Sequence, residues 1–324
     1  MKSYTIGSND ANQRLDKFVQ KTVKNLPQTL LYKYIRIKRI KVNYKKSDIA
    51  YKLNRGDIVE LYINDEFFET ENNEMSFLLA PAKLDLVFED ENIMLIDKKP
   101  GLVVHDDDNG TTDTLIARVQ HYLYDKGEYN PEHENSFAPA LCNRIDRNTG
   151  GIVVAAKNAE ALRIINEKIK LREIRKFYLC IIHGNMQKKE ATLEGFLTKD
   201  DSENKVYIHE VSKGGDYAIK TRYRVIDENY ELSLLEVELL TGRTHQIRAH
   251  FASVGHPLLG DGKYGTNAIN KEYGLKYQAL YSYKISFNFK TEAGILNYLK
   301  GKTFEVADVW FAREFYNHGL KKKD

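Results

Sequence analysis

Between Arg14 and Asn25 the apolar residues fall at Leu15, Phe18, Val19 and Val23, the spacing of a helix with one buried face. Pro27 suits the first turn of a second helix, whose buried stripe is Leu30, Leu31, Tyr34 and Ile35. Ile40 and Val42 alternate like a short strand, and Asn43-Tyr44 reads as the turn after it. Leu53 and Gly56-Asp57 then lead into a further strand at Ile58, Val59, Leu61 and Ile63. Helix, helix, strand, turn, strand predicts a small domain over residues 12–63. Residues 64–83 read as an acidic linker, with Asp65, Glu66, Glu69, Glu71 and Glu74 and no Lys or Arg before residue 81.

From residue 84 the pattern changes. Leu86 to Asp90 and Ile93 to Asp97 predict two strands around a turn. Further strands are predicted at Ile152 to Ala156, Tyr178 to Ile182, Lys220 to Val225 and Leu232 to Leu239, and helices at Leu115 to Tyr124 and Ala159 to Leu171. Strands in mostly hairpin order with few helices predict an α+β domain over 84–318, built on a mixed, largely antiparallel central sheet.

Composition narrows the class. A chain of 324 residues with 42% hydrophobic residues, 20 Gly and 6 Pro is neither disordered nor collagen-like. No stretch approaches the ~18 apolar residues of a membrane span. The start, Met1 to Thr5, lacks a secretory apolar region, and Cys142 and Cys180 stand alone. A reduced, cytoplasmic, soluble protein is the expectation, with no membrane partner and a monomer as the default state.

The net charge of +3 divides unevenly. Residues 1–63 carry 14 Lys and Arg against 5 Asp and Glu, a net of +9, while the rest carry 35 against 41, a net of −6. Lys24 to Lys46 holds eight basic residues and no acidic one. Lys33, Arg36, Lys38 and Arg39 lie mostly off the apolar stripe, so the first domain presents a basic surface. Such a surface neutralises phosphates and releases counterions, the footprint of nucleic-acid binding.

Two constellations offer chemistry. In Asn143-Arg144-Ile145-Asp146-Arg147-Asn148-Thr149-Gly150-Gly151, a carboxylate sits between two arginines before an apolar strand. Neighbouring cations favour an ionised carboxylate, which can act as nucleophile or base; a salt-bridged loop is the plainer reading. The second runs from Val237 to His250 and on through Gly255 to Gly265. Its His245, His250 and His256 are spaced by five and six, off any single helical face, so they read as hydrogen-bonding residues rather than metal ligands. Asp106-Asp107-Asp108 reads as an acidic loop before it reads as a magnesium site. No P-loop spacing is present.

These blocks carry a resemblance. Lys98 to His105 (KKPGLVVH), Asn143 to Gly151, Arg175 to Leu179 with Gly184, and Thr241 to Gly265 resemble, in order, the motifs of the RluA/RluC/RluD family of RNA pseudouridine synthases. Arg14 to Phe18, Arg36 to Asn43 and Leu53 with Gly56 to Val59 resemble the ribosomal-protein S-four-like RNA-binding domain, which points most to the RluC branch. Ile37-Lys38 departs from that domain, which often has glycine there. Asn143, Ile145 and Gly150 depart from the synthase motif, which usually has His, Leu and Ser; Gly150 is expected to loosen the turn.

The resemblance implies a pseudouridine synthase fold and isomerisation of specific uridines in RNA, with structured large-subunit (23S) ribosomal RNA as the expected partner. It implies Asp146 as the catalytic aspartate, Tyr178 as the tyrosine against the uracil and a candidate to take the C5 proton, Arg248 as the arginine pairing with the aspartate, and Arg144 as the residue replacing the flipped base. Leu280 is expected beneath the ring, and Lys33, Arg36, Lys38, Arg39 and Asn43 are expected on RNA. Breaking N1–C1′, turning the base and rejoining it through C5 needs no redox step or energy input, so no cofactor, nucleotide or metal is expected. A non-catalytic RNA-binding or assembly factor on the same fold is the alternative, and a metal-dependent nuclease or phosphatase using Asp106 to Asp108 with His105 is a third reading.

Overall fold

Two sheets with separate apolar cores organise the chain in a computed structural model that describes residues 1–68, 75–105, 110–200, 202–318 and 320. Glu69, Glu71, Glu74 and Asp106 to Asp108 lie outside the described residues. The first unit contains β1 (Lys2–Thr5), α1 (Leu15–Thr22), α2 (Gln28–Arg36), β2 (Ile40–Val42), β3 (Lys45–Lys46) and β4 (Ile58–Leu61), with strand order β1-β4-β2-β3. Leu15, Phe18 and Val19 of α1 and Leu31 and Ile35 of α2 are buried against this sheet. The apolar spacing therefore marks the faces that pack. Strand β1 pairs antiparallel with β4, so the sheet starts ten residues before the domain start read at residue 12. Lys38 takes the left-handed φ of +63° after α2, so the chain turns there without glycine.

The second unit comprises β5 (Leu86–Glu89), β6 (Ile93–Lys98), α3 (Leu115–Asp125), β7 (Ala140–Leu141), β8 (Gly150–Ala156), α4 (Ala159–Lys170) and β9 (Ile174–His183). It continues through β10 (Glu190–Asp200), β11 (Lys205–His209), β12 (Tyr217–Glu228), β13 (Leu232–Leu239), α5 (Gln246–Ser253), α6 (Asn267–Glu272), β14 (Leu280–Phe287), β15 (Thr303–Glu305) and α7 (Trp310–His318). One sheet runs β11-β10-β12-β13-β9-β14-β8-β6-β5, with β15 and β7 alongside β14 and β8. Among the described residues, β8 and β14 are the one pair of its strands that run parallel. The fold is α+β on a mixed, largely antiparallel sheet.

Period-two alternation distributes the central strands between two layers. Ile93, Leu95, Ile152 and Val154 pack with Ala161 and Ile165 of α4, while Met94, Ile96, Val153 and Ala155 pack with Leu115, Val119 and Leu123 of α3. Strand β8 is buried throughout, as an apolar run covered on both faces must be. Both helices are capped: Thr114 Oγ1 accepts from Ala117 N at 3.3 Å and Asn158 Oδ1 from Ala161 N at 2.8 Å.

Gly150 and Gly151 hold β8 against β14. A Cβ on Gly150 would stand 2.3 Å from the Tyr281 ring, and one on Gly151, at φ +110°, 2.2 Å from Ser282 O. Gly150 thus belongs to a buried strand edge that seats an aromatic ring, which corrects its reading as a looser turn.

The end of the linker joins the second core: Phe77 is buried and meets the rings of Tyr124 and Tyr129. The two units also meet directly. Buried Asp10 accepts from Ser136 Oγ at 2.6 Å and Asn135 Nδ2 at 2.7 Å, and Asn9 Nδ2 donates to Glu134 at 2.8 Å.

Candidate active site

Asp146 sits in the loop between β7 and β8, closed by a turn in which Thr149 N donates to Asp146 O at 3.0 Å. Arg248, on α5, donates from one terminal nitrogen to Asp146 Oδ2 at 2.8 Å. Its Nε and other terminal nitrogen fork onto fully buried Asp261 at 2.7 and 2.9 Å. Asp261 also accepts the backbone N–H groups of Lys263 and Tyr264 at 2.8 and 3.1 Å. Although burial opposes both charges, the pairing holds the guanidinium above its usual range and the Asp261 carboxyl below its own. Arg248 is thereby a cation fixed in direction, with its remaining terminal nitrogen turned to Asp146. Asp146 Oδ1 makes no hydrogen bond among the described residues.

The carboxylate lines a cleft of about 840 Å³ with Arg147, His245, Arg248, Lys263 and Gln278 among its walls. His245 Nε2 stands 3.9 Å from Asp146 Oδ2. Under the loop lie Tyr178 of β9 and Leu280 of β14, each 5% exposed and in one apolar cluster with Ile145. Burial pushes the Tyr178 phenol up to about 12, with Ser282 lowering and Asp146 raising it to lesser extents. It is therefore a neutral phenol at neutral pH, suited to contact and orientation more than to taking a proton.

Lys98, at the end of β6, secures the loop from behind. Its buried ammonium donates to the carbonyls of Lys99, Leu102 and Arg147 at 3.1, 2.9 and 2.9 Å. Burial depresses it to about 7, against the raising pull of Asp146 and Asp97.

The RNA pseudouridylate synthase family model matches residues 92–253, half of the chain, a range that includes Asp146, Tyr178 and Arg248. The chain belongs to this family. It is 31% identical to an uncharacterized RNA pseudouridine synthase of Mycoplasma capricolum over 97% of this chain and 100% of that one. It is 29% identical to the ribosomal large subunit pseudouridine synthase C of Haemophilus ducreyi, over 88% of this chain and 87% of that one. Two human RNA pseudouridylate synthase domain-containing proteins, 1 and 4, share the fold at TM-scores of 0.52 and 0.55. They are 20% and 18% identical, over 75% and 74% of this chain and 98% and 95% of theirs.

The synthase isomerises uridine to pseudouridine in RNA, and its structure brings together Asp146, Arg248, Tyr178 and Leu280 from four separated stretches. Arg144 is exposed and makes no hydrogen bond or ion pair among the described residues. Lys33, Arg36, Lys38 and Arg39 are exposed in the first unit without ion pairs among the described residues; Arg39 lies over the Tyr34 ring at 5.5 Å. Asn43 is exposed and braces a turn at φ +49°: its amide donates to Asp57 and accepts from Ile58 N, both at 2.8 Å. One hydrogen bond at each polar atom leaves a second N–H and a second lone pair on the surface of the module.

His250 and His256 hydrogen-bond Thr221 and His183 O at 2.9 Å each, and His245 pairs with Tyr264 at 3.0 Å. Among the described residues no group of three or more His, Cys, Asp or Glu is placed to hold a metal ion, and no helix is long and apolar enough to cross a membrane. Sequence reasoning missed Asp261, Lys98 and His245 as parts of the site. Two carried a signal: an aspartate between glycines (Gly260-Asp261-Gly262), and a lysine closing an apolar strand (Ile93–Lys98).

Proposed function

We propose that Asp146 is the catalytic carboxylate of this synthase and that its substrate is structured large-subunit ribosomal RNA. The observation that carries the first part is the clamp: Arg248 holds Asp146 Oδ2 at 2.8 Å while anchored on buried Asp261, leaving Oδ1 at a cleft with no hydrogen bond among the described residues. A carboxylate prepared in this way can attack the nucleoside, or remove a proton from it, as N1–C1′ breaks. Pre-set orientation lowers the cost of reaching that geometry.

The target base must leave its stack, at a cost of a few kcal/mol. Arg144, exposed on the same loop and without an ion pair among the described residues, is placed to occupy the gap. Tyr178 and Leu280 lie buried beneath the Asp146 loop rather than among the residues that line the cleft; a uracil that reaches the Tyr178 ring before C5 bonds to C1′ gains base–aromatic contact of about 1–3 kcal/mol. Lys98 keeps the Asp146 loop joined to the Lys99–Leu102 turn. In the first unit, Lys33, Arg36, Lys38 and Arg39 form an S-four-like grip on phosphates, joined by the 64–83 segment to the catalytic unit.

The large-subunit assignment is supported by relatives from two Haemophilus species, both ribosomal large subunit pseudouridine synthases C at 28–29% identity. Mapping pseudouridines in ribosomal RNA from a strain lacking the protein tests it. Loss of one or more large-subunit pseudouridines, restored by the wild-type chain and not by Asp146→Asn, is the expected result. An unchanged large-subunit map contradicts the assignment.

A further inference from the structure

His245 occupies backbone that side chains avoid. It precedes α5 at φ 52° and ψ 16°, in the left-handed region where a non-glycine residue is held at a cost. The strain places its imidazole in the wall of the cleft beside Asp146. Nδ1 is 3.0 Å from the Tyr264 hydroxyl, which also accepts Val206 N–H at 2.9 Å. Nε2 faces Asp146 Oδ2 at 3.9 Å, beyond hydrogen-bond range.

Asp146, Asp261, Arg248 and Lys263 surround the ring electrostatically, and burial with the two cations holds it below the usual histidine range. At neutral pH it is therefore neutral and carries one ring proton. Two neighbours select the same nitrogen. The Tyr264 oxygen already accepts from Val206, and its own proton finds an acceptor in Nδ1. The Asp146 carboxylate attracts a donor at Nε2 and repels a lone pair there.

We propose that His245 is a further catalytic residue of the synthase, an Nε2–H donor fixed by Tyr264 that hydrogen-bonds a carbonyl oxygen of the uracil while the base is detached. When N1–C1′ breaks, its electron pair stays with the base, and the charge spreads over N1 and the carbonyl oxygens. The pair is returned as C5 bonds to C1′, the C5 proton departs to solvent and N1 gains a proton. His245 keeps its own proton throughout. A fixed donor interacts more strongly with the charged, detached base than with the bound uridine, so it lowers the barrier. The proposal rests on the reading of Asp146 as the catalytic carboxylate.

Nitrogen-15 NMR of the histidine-labelled full-length protein is the direct test. The Nε2–H tautomer is expected at His245 in the wild type, and its mixing with the Nδ1–H form in Tyr264→Phe. An Nδ1–H tautomer in the wild type overturns the proposal. For turnover on ribosomal RNA, His245→Asn, which tolerates left-handed backbone but is too short to reach, is expected to lower kcat about 10²-fold with KM little changed. His245→Gln, whose amide N–H extends further, should recover part of the loss, which a purely structural histidine would not allow. Wild-type turnover in His245→Asn beside an inactive Asp146→Asn overturns this proposal alone. Turnover by Asp146→Asn overturns the reading beneath it as well.

Discussion

Arg248 does its work through the residue that anchors it. Two of its three hydrogen bonds go to fully buried Asp261, and these aim the third at Asp146. Removing one partner of a buried pair leaves the other charge uncompensated, which costs about 3–5 kcal/mol. Asp261→Asn should therefore lower the melting temperature as well as turnover, and calorimetry beside the turnover assay will show both. His250 supplies a pH signature. Burial lowers it to about 4 from an ordinary value near 6.5, so between those values the unfolded chain binds a proton that the folded chain refuses. Stability should then fall as pH drops through that window. Urea titrations at pH 7 and pH 5 should show a smaller loss for His250→Gln than for wild type, even though the variant starts less stable. Asp146 and Arg248 were legible because each lies inside a local motif. Their contact joins positions 102 residues apart, and the Asp261 anchor and facing His245 depend on such long-range closure, which spacing alone does not encode.

Strands β6, β8 and β13 were readable because their apolar runs are long and buried. Strands β10 and β11 escaped, since charged and small residues on an exposed hairpin break the alternation. Helix α5 escaped for the opposite reason. Gln246, Arg248 and His250 are all buried in polar contacts, so the helix has no polar outer face to set off an apolar stripe. Strand β14 sits where the paired glycines admit it, and its pairing with β8 is fixed by space more than by hydrophobicity. Gly150→Ser introduces the residue that the motif resemblance leads one to expect but drives a Cβ into the Tyr281 ring. It should destabilise by about 1–3 kcal/mol, as overpacking does. Equal melting temperatures for variant and wild type would show that β14 yields easily.

The near-neutral total of the chain conceals a division between a basic first unit and an acidic body. Four exposed cations of the first unit lack ion pairs among the described residues, whereas Arg175 in the body pairs with Glu238 and Arg248 with Asp261. Replacing Lys33, Arg36, Lys38 and Arg39 together with Gln should weaken RNA binding and flatten its salt dependence. Each duplex phosphate that the variant no longer neutralises should reduce the log–log slope by about 0.9. Equal slopes for variant and wild type would place the electrostatic grip elsewhere. The buried hydrogen bonds of Asp10 with Asn135 and Ser136 join that grip to the catalytic unit, a junction that the acidic linker gave no reason to expect. The central claim concerns the carboxylate that this architecture presents. Tritium release from ribosomal RNA labelled at uridine C5 tests it most directly, with wild type and Asp146→Asn compared at matched RNA occupancy. Release by wild type and none by Asp146→Asn, with RNA affinity retained, is the predicted result; release by Asp146→Asn at the wild-type rate would contradict the account.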